Sequence, residues 1–398
     1  MGSRARTTLI IAVIAQAAVS VVQFGLPAIG TDIQQKFGLG PAGFGAVFAA
    51  VGLGSAFALI PAGMLVDRFG ARPVLLIGAV INLCAYIVAA FASDVALFSA
   101  AVFVAGMGSA AVPVAGMSSL LREFPPQRRG LALGWRQLAV PLGGTVGAAA
   151  LPLLAHFGGV QLALIVTAVC TASTAAIFAR LSAPGGTGAR RLRLDGALTA
   201  PGMRPLLIVG LFYVYALSAA LTYIVPAAQS DGLSRTVAGV LFVILNMAAA
   251  ASRLIWGRIA DRGHGTRRIR TLIDIGLLAA AAGLLMAPAL HAGAPLAVIV
   301  TVLLAFGCFG WNGVLYVTAG ELVGAERAAR AVGVASTMVF GAGSLAAPIS
   351  GLVAEHAGYD AMWLTAAAAS SAGALVAWRA LGRRPRPQRS AAAGAPAR

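Results

Sequence analysis

The sequence predicts an all-α membrane protein of twelve transmembrane helices in two six-helix, pseudo-symmetric bundles. Three observations predict it. Hydrophobic residues make up 59% of the 398 residues and charged residues only 10%, too apolar a balance for a soluble core to hide. The chain divides into twelve apolar runs, each near the ~20 residues that a ~30 Å hydrocarbon core requires. The third is a half-chain echo: Arg129 and Arg330 precede the fifth and eleventh runs, and His156 and His356 close them.

Taken in order, the runs are Thr7–Gly30, Ala42–Ala62, Pro73–Ala92, Val95–Leu121, Leu131–Leu154, Val160–Leu181, Leu206–Pro226, Val237–Ile255, Ile273–Leu290, Pro295–Gly320, Ala331–Leu352 and Ala361–Leu381. None alternates like a barrel strand, and lipid offers no partner to a free backbone group, so each should be a helix. Arg4 and Arg6 precede the first run as they would in a signal peptide. The run is long enough to span and lacks a small-x-small cleavage site, so a retained helix is expected. Residues 1–181 form the first bundle and 205–382 the second. Between them, 182–204 reads as a linker, with Pro184, Gly185, Gly186, Gly188 and four arginines. The Arg/Pro/Ala-rich tail, 383–398, reads as disordered.

The net charge of +17 does not point to nucleic acid, because the basic residues sit at the ends of apolar runs and do not interleave with aromatics. Lys36 and Arg235 fall on one side and Arg136 and Arg253 within the membrane, so 29 − 4 = 25 basic residues fall on the other side. That bias puts both termini in the cytoplasm of an inner-membrane protein. Cys84, Cys170 and Cys308 lie in separate runs and read as small core residues. The four histidines have no ligand spacing, so no metal and no cofactor is expected. No phosphate-cradling loop is present, so ATP is not the energy source, and no hydrolytic constellation marks an enzyme.

One charged stretch breaks the apolar pattern: Gly63-Met-Leu-Val-Asp67-Arg68-Phe-Gly70-Ala-Arg72-Pro73, echoed at Gly257-Arg-Ile-Ala-Asp261-Arg262. The pattern G-x-L-x-D-R-x-G-x-R between the second and third runs resembles the signature loop of the major facilitator superfamily of secondary transporters, with Ala71 where the family often has a basic residue. The resemblance implies the two-bundle fold and a small-molecule substrate carried by alternating access. It also implies that Asp67, Arg68 and Arg72 bridge the bundles when the cytoplasmic side is closed. Solvated topology charges would account for these residues but not for the glycines. Gly63 is expected at a close helix approach and Gly70 in a tight turn.

Polar residues inside the runs are the candidate transport site, because a central arginine costs about 2.5–3.5 kcal/mol to insert and needs a use or a partner. Arg136, followed by Gln137, and Arg253 lie at similar depth in the fifth and eighth runs. Arg253 with Gly257 resembles the eighth-helix arginine of the family's carboxylate carriers, although Ala249 stands where those relatives can place an acid. Asn246 shares the face of Arg253. Gln16, Gln23, Tyr215, Ser218, Thr222, Asn312 and Tyr316 line up on their own helices and serve equally well as helix–helix hydrogen bonds. Asn82 reads as structural, and Asp274 as a local partner of Arg270. Pro141-Leu-Gly143-Gly144 resembles the family's antiporter motif, with Val140 in a glycine position; close helix packing explains the same glycines.

These features predict a monomeric carrier of a small organic anion, in contact with lipid and binding no nucleic acid. A drug exporter fits the partial antiporter motif, but cationic drugs would want an embedded acid. A non-transporting sensor on the same scaffold would need a signalling domain or a long tail.

Overall fold

A computed structural model describes residues 3–124, 126–182, 200–262, 266–323 and 328–381. Among these residues there are helices and no strand. Residues 183–199 of the expected linker, the whole of the expected tail and His264 lie outside them.

The chain opens with α1 (Ser3–Gly25), which passes through a 3₁₀ turn at Leu26–Ile29 into α2 (Gly30–Phe37). Pro27 sits at the start of that turn, where its missing N–H costs no ladder bond. Then come α3 (Pro41–Phe69), α4 (Ala71–Ala90), α5 (Val95–Ser109), α6 (Ala111–Glu123) and the long α7 (Pro126–Leu181). The second portion holds α8 (Met203–Ser230), α9 (Arg235–Asp261), α10 (Thr266–Ala292), α11 (Ala294–Phe309), α12 (Trp311–Val323) and α13 (Ala328–Val376), which ends in a π turn at Ala377–Leu381.

Among the described residues, ten segments are long and apolar enough to cross a membrane. Two of them, 135–181 and 331–381, run to 47 and 51 residues. At ~1.5 Å per residue each exceeds two thicknesses of a ~30 Å core. Both are broken near the middle by non-helical glycines, Gly158 and Gly159 in α7 and Gly358 in α13. The breaks lie 358 − 158 = 200 residues apart. The α5/α6 and α11/α12 junctions, at Ala110 and Gly310, repeat the same offset of 310 − 110 = 200.

The charged hinge is more helical than the sequence implied. Asp67 and Arg68 lie in the last turn of α3 and Arg72 in the first turn of α4; only Gly70 leaves the helix, at φ +88°, where a side chain would be strained. Gly63 is a correction: a Cβ there would meet only Val114 Cγ1, at 3.9 Å, so no close crossing needs it. The tight crossing is between Gly54 and Gly106, where an added Cβ would fall 1.9 Å from the Phe103 carbonyl or 2.2 Å from that of Val51. Backbone meets backbone there, as packing in lipid favours.

Two further expectations are revised. Only Cys308 is buried; Cys84 and Cys170 are exposed on the helix surface. Asp274 makes no ion pair with Arg270 among the described residues, and Arg268 instead gathers the acids, pairing with Asp261 at 3.6 Å and with Glu321. Asn82 is structural: its amide donates to the Ala105 carbonyl and to Ser109 Oγ, tying α4 to α5.

Candidate functional site

The portion before residue 182 meets the portion after 200 along two seams. One joins α3 to α13, with Tyr223 of α8 reaching Pro41; the other joins α7 to α9. The site residues foreseen in the sequence distribute unevenly between them.

Glycines set the path of α7. A Cβ at Gly143 would lie 2.2 Å from the Ala17 carbonyl and one at Gly147 2.4 Å from that of Val21, so α1 lies directly against this face. Gly144 faces α9 instead, and a Cβ there would lie 2.2 Å from Asn246 Oδ1. Asn246 is 2% exposed, and its amide donates to the Phe242 carbonyl at 3.0 Å. It is therefore a packing residue of the α7–α9 contact whose oxygen rests on the Gly144 backbone.

Arg136 is buried, and its Nη1 donates to Gln16 Oε1 and to the Pro113 carbonyl, both at 3.1 Å. Gly116 leaves room for its stem, with Cδ 3.4 Å from where a Cβ would sit. Its Nε is buried without a partner. The Gln16 and Pro113 contacts, on α1 and α6, were not legible in the sequence, because they depend on which way the guanidinium turns from α7.

Arg253 is held more loosely. One Nη1 bond reaches the Gln137 carbonyl at 3.4 Å, and its Nε is buried without a partner. Tyr316 of α12 lies near it and also stands beside Ser336 of α13. Since Arg253 reaches the residue that follows Arg136, both cations sit at one level of α7. Neither makes an ion pair among the described residues. A guanidinium offers five N–H donors, so Arg253 keeps most of its capacity for a planar oxyanion. One turn below it, Gly257 has nothing within 4 Å of its Cβ position.

The other candidates lie apart or are engaged elsewhere. Tyr215 pairs its hydroxyl with Thr365 at 2.9 Å, and Ser218 donates to the Gly343 carbonyl, both bonds between α8 and α13. Thr222 is fully buried, with its hydroxyl unpaired. Asn312, one turn from Tyr316 on α12, has a buried Oδ1 with no partner. Gln137 is exposed at its side chain, and Gln23 is half-buried with no side-chain hydrogen bond among the described residues. Of the hinge residues, Arg68 and Arg72 are exposed, and Arg262 caps the end of α9 beside Asp261.

A profile of the Major Facilitator Superfamily matches residues 8–348. The chain belongs to that superfamily. Such members are secondary transporters, and a Mycobacterium tuberculosis protein described as an uncharacterized MFS-type transporter is 28% identical over 76% of this chain and 68% of its own length. Human monocarboxylate transporter 11 is 31% identical over 50% of this chain and 44% of its own, and the M. tuberculosis drug efflux pump JefA 30% over 34% and 25%. The fold is also that of a bacterial homolog of the human lysosomal transporter Spinster, in an inward-facing, occupied conformation. That match has a TM-score of 0.77 at 16% identity and covers 96% of this chain and 98% of the other. The superfamily assignment makes this chain a multi-pass membrane transporter.

Proposed function

We propose that this superfamily member carries a small organic anion, carboxylate-like, by alternating access between two six-helix bundles. Counting each glycine-broken segment as two crossings turns ten spans into twelve, with both termini in the cytoplasm of the inner membrane and a monomer as the working unit. The observation that carries the reading is the Arg253 guanidinium at the seam between the bundles, with a buried, unpartnered Nε and no acid paired to it among the described residues. An unneutralised arginine at that depth is costly, and a carboxylate arriving in the cavity would relieve the cost through two parallel N–H···O bonds. Arg136, already bonded to Gln16 and Pro113, supports the positive potential from one side more than it grips substrate.

The kinship to a monocarboxylate transporter agrees with this reading, while that to a drug efflux pump marks the competing one. A thermal-stability screen of the purified protein discriminates them. Small carboxylates should raise the melting temperature of the wild type and leave Arg253→Ala unmoved. Stabilisation by cationic drugs, with none by any carboxylate, would overturn the anion reading.

A further inference from the structure

On the face opposite the Asp261–Arg268–Glu321 cluster, the two portions of the chain are drawn together by side chains that the transport reading does not use. Helix α3 begins there without a cap of its own. Its N-cap is Gly40, which has no side chain, and Pro41 at the first helical position has no N–H. The first free donor is the Ala42 N–H, and it donates to Glu355 Oε2 at 3.0 Å, across 313 residues of sequence. A side chain at position 40 would displace this carboxylate, because a Cβ on Gly40 would stand 2.8 Å from that oxygen. Beside it, Tyr223 donates to the Pro41 carbonyl at 2.9 Å and the Ala347 carbonyl at 2.8 Å, and Gly351 leaves room for the Pro41 carbonyl. Arg235 pairs with Asp32 on the same face.

We infer that Glu355 is the latch of this face, capping α3 in trans, and that the transport cycle must break this cap whenever the site opens to this side. The inference rests on the alternating-access reading above. Local caps are the rule because a helix needs its first N–H groups satisfied at all times. A cap borrowed from the other bundle is satisfied only while the two bundles are closed on this side. A carboxylate also favours the positive end of the helix, so the closed state gains a charge–dipole attraction that the open state lacks. Glu355 is thus a positioning residue: it touches no substrate but sets the balance between closed and open.

The test uses the full chain in lipid vesicles, with Ser93→Cys and Leu296→Cys spin-labelled and Cys84 and Cys170 replaced by alanine. Both label sites are exposed, one on each portion. The wild type should show a short-distance majority and a long-distance minority, and Glu355→Ala should raise the long-to-short ratio about fivefold, the effect of losing one cap. Glu355→Gln, which keeps an acceptor without the charge, should fall between. Gly40→Asp supplies a local cap and displaces Glu355; it should raise the ratio like Glu355→Ala while leaving the melting temperature at or above that of the wild type. Two populations in the wild type with an unchanged ratio in Glu355→Ala and Gly40→Asp would overturn the latch and leave alternating access standing. A single fixed distance in every variant would overturn both.

Discussion

The two seams between the halves of this transporter are built differently. Where α3 meets α8 and α13, polar groups that cross the boundary are matched: Tyr223 satisfies two carbonyls, Glu355 takes the Ala42 N–H, and Gly45 and Gly351 bring the helices close enough for both. Where α7 meets α9, the reach across is one 3.4 Å bond from Arg253, and buried guanidinium nitrogens remain unpaired. Matched polar groups hold a conformation, whereas unmatched ones wait for a ligand, since a buried donor without an acceptor costs about 1–3 kcal/mol. On the proposed function, the first seam acts as structure and the second as the place of binding.

Substitutions can break that contrast, beginning with the largest effect. Arg253→Ala should lower uptake of the carboxylate found in the stability screen at least about 100-fold, because a bidentate charged contact is lost, with Arg253→Lys recovering part of it as a single point of charge. Gly144→Leu should come next, since its side chain would collide with Asn246; the α7–α9 contact would be pushed apart at a cost of about 1–3 kcal/mol, read as a lower melting temperature and slower uptake. In the matched seam, Tyr223→Phe removes one donor from two carbonyls and should cost about 1 kcal/mol of stability without changing the affinity for substrate. Asp32→Asn should have the smallest effect, below about 1 kcal/mol and fading in high salt, because the Arg235 side chain is 52% exposed. A larger fall in affinity from Tyr223→Phe than from Arg253→Ala would reverse the assignment of the seams.

Much of the scaffold was legible because lipid punishes exceptions. A charge in an apolar run stands out, and so Asp67, Asp261, Arg136 and Arg253 were visible from sequence alone. Gly70 was legible as a turn because it separates two runs. Gly54 and Gly106 were not, because a glycine in an alanine-rich helix looks the same whether its neighbour is lipid or a carbonyl about 2 Å from where a Cβ would sit. The contacts of Arg136 with Gln16 and of Glu355 with Ala42 were equally hidden, being separated by 120 and 313 residues and fixed by side-chain direction rather than spacing. Same-face spacing left Tyr215 and Ser218 open between substrate contact and helix–helix hydrogen bonding, and both bond to α13. Periodicity identifies a face without identifying what covers it.

The most direct test of the account is equilibrium binding of that carboxylate to the purified wild type and to Arg253→Ala, with Arg136→Ala measured alongside. Binding should be lost in the Arg253 variant and only weakened in the Arg136 variant. Equal affinity in all three proteins would contradict it.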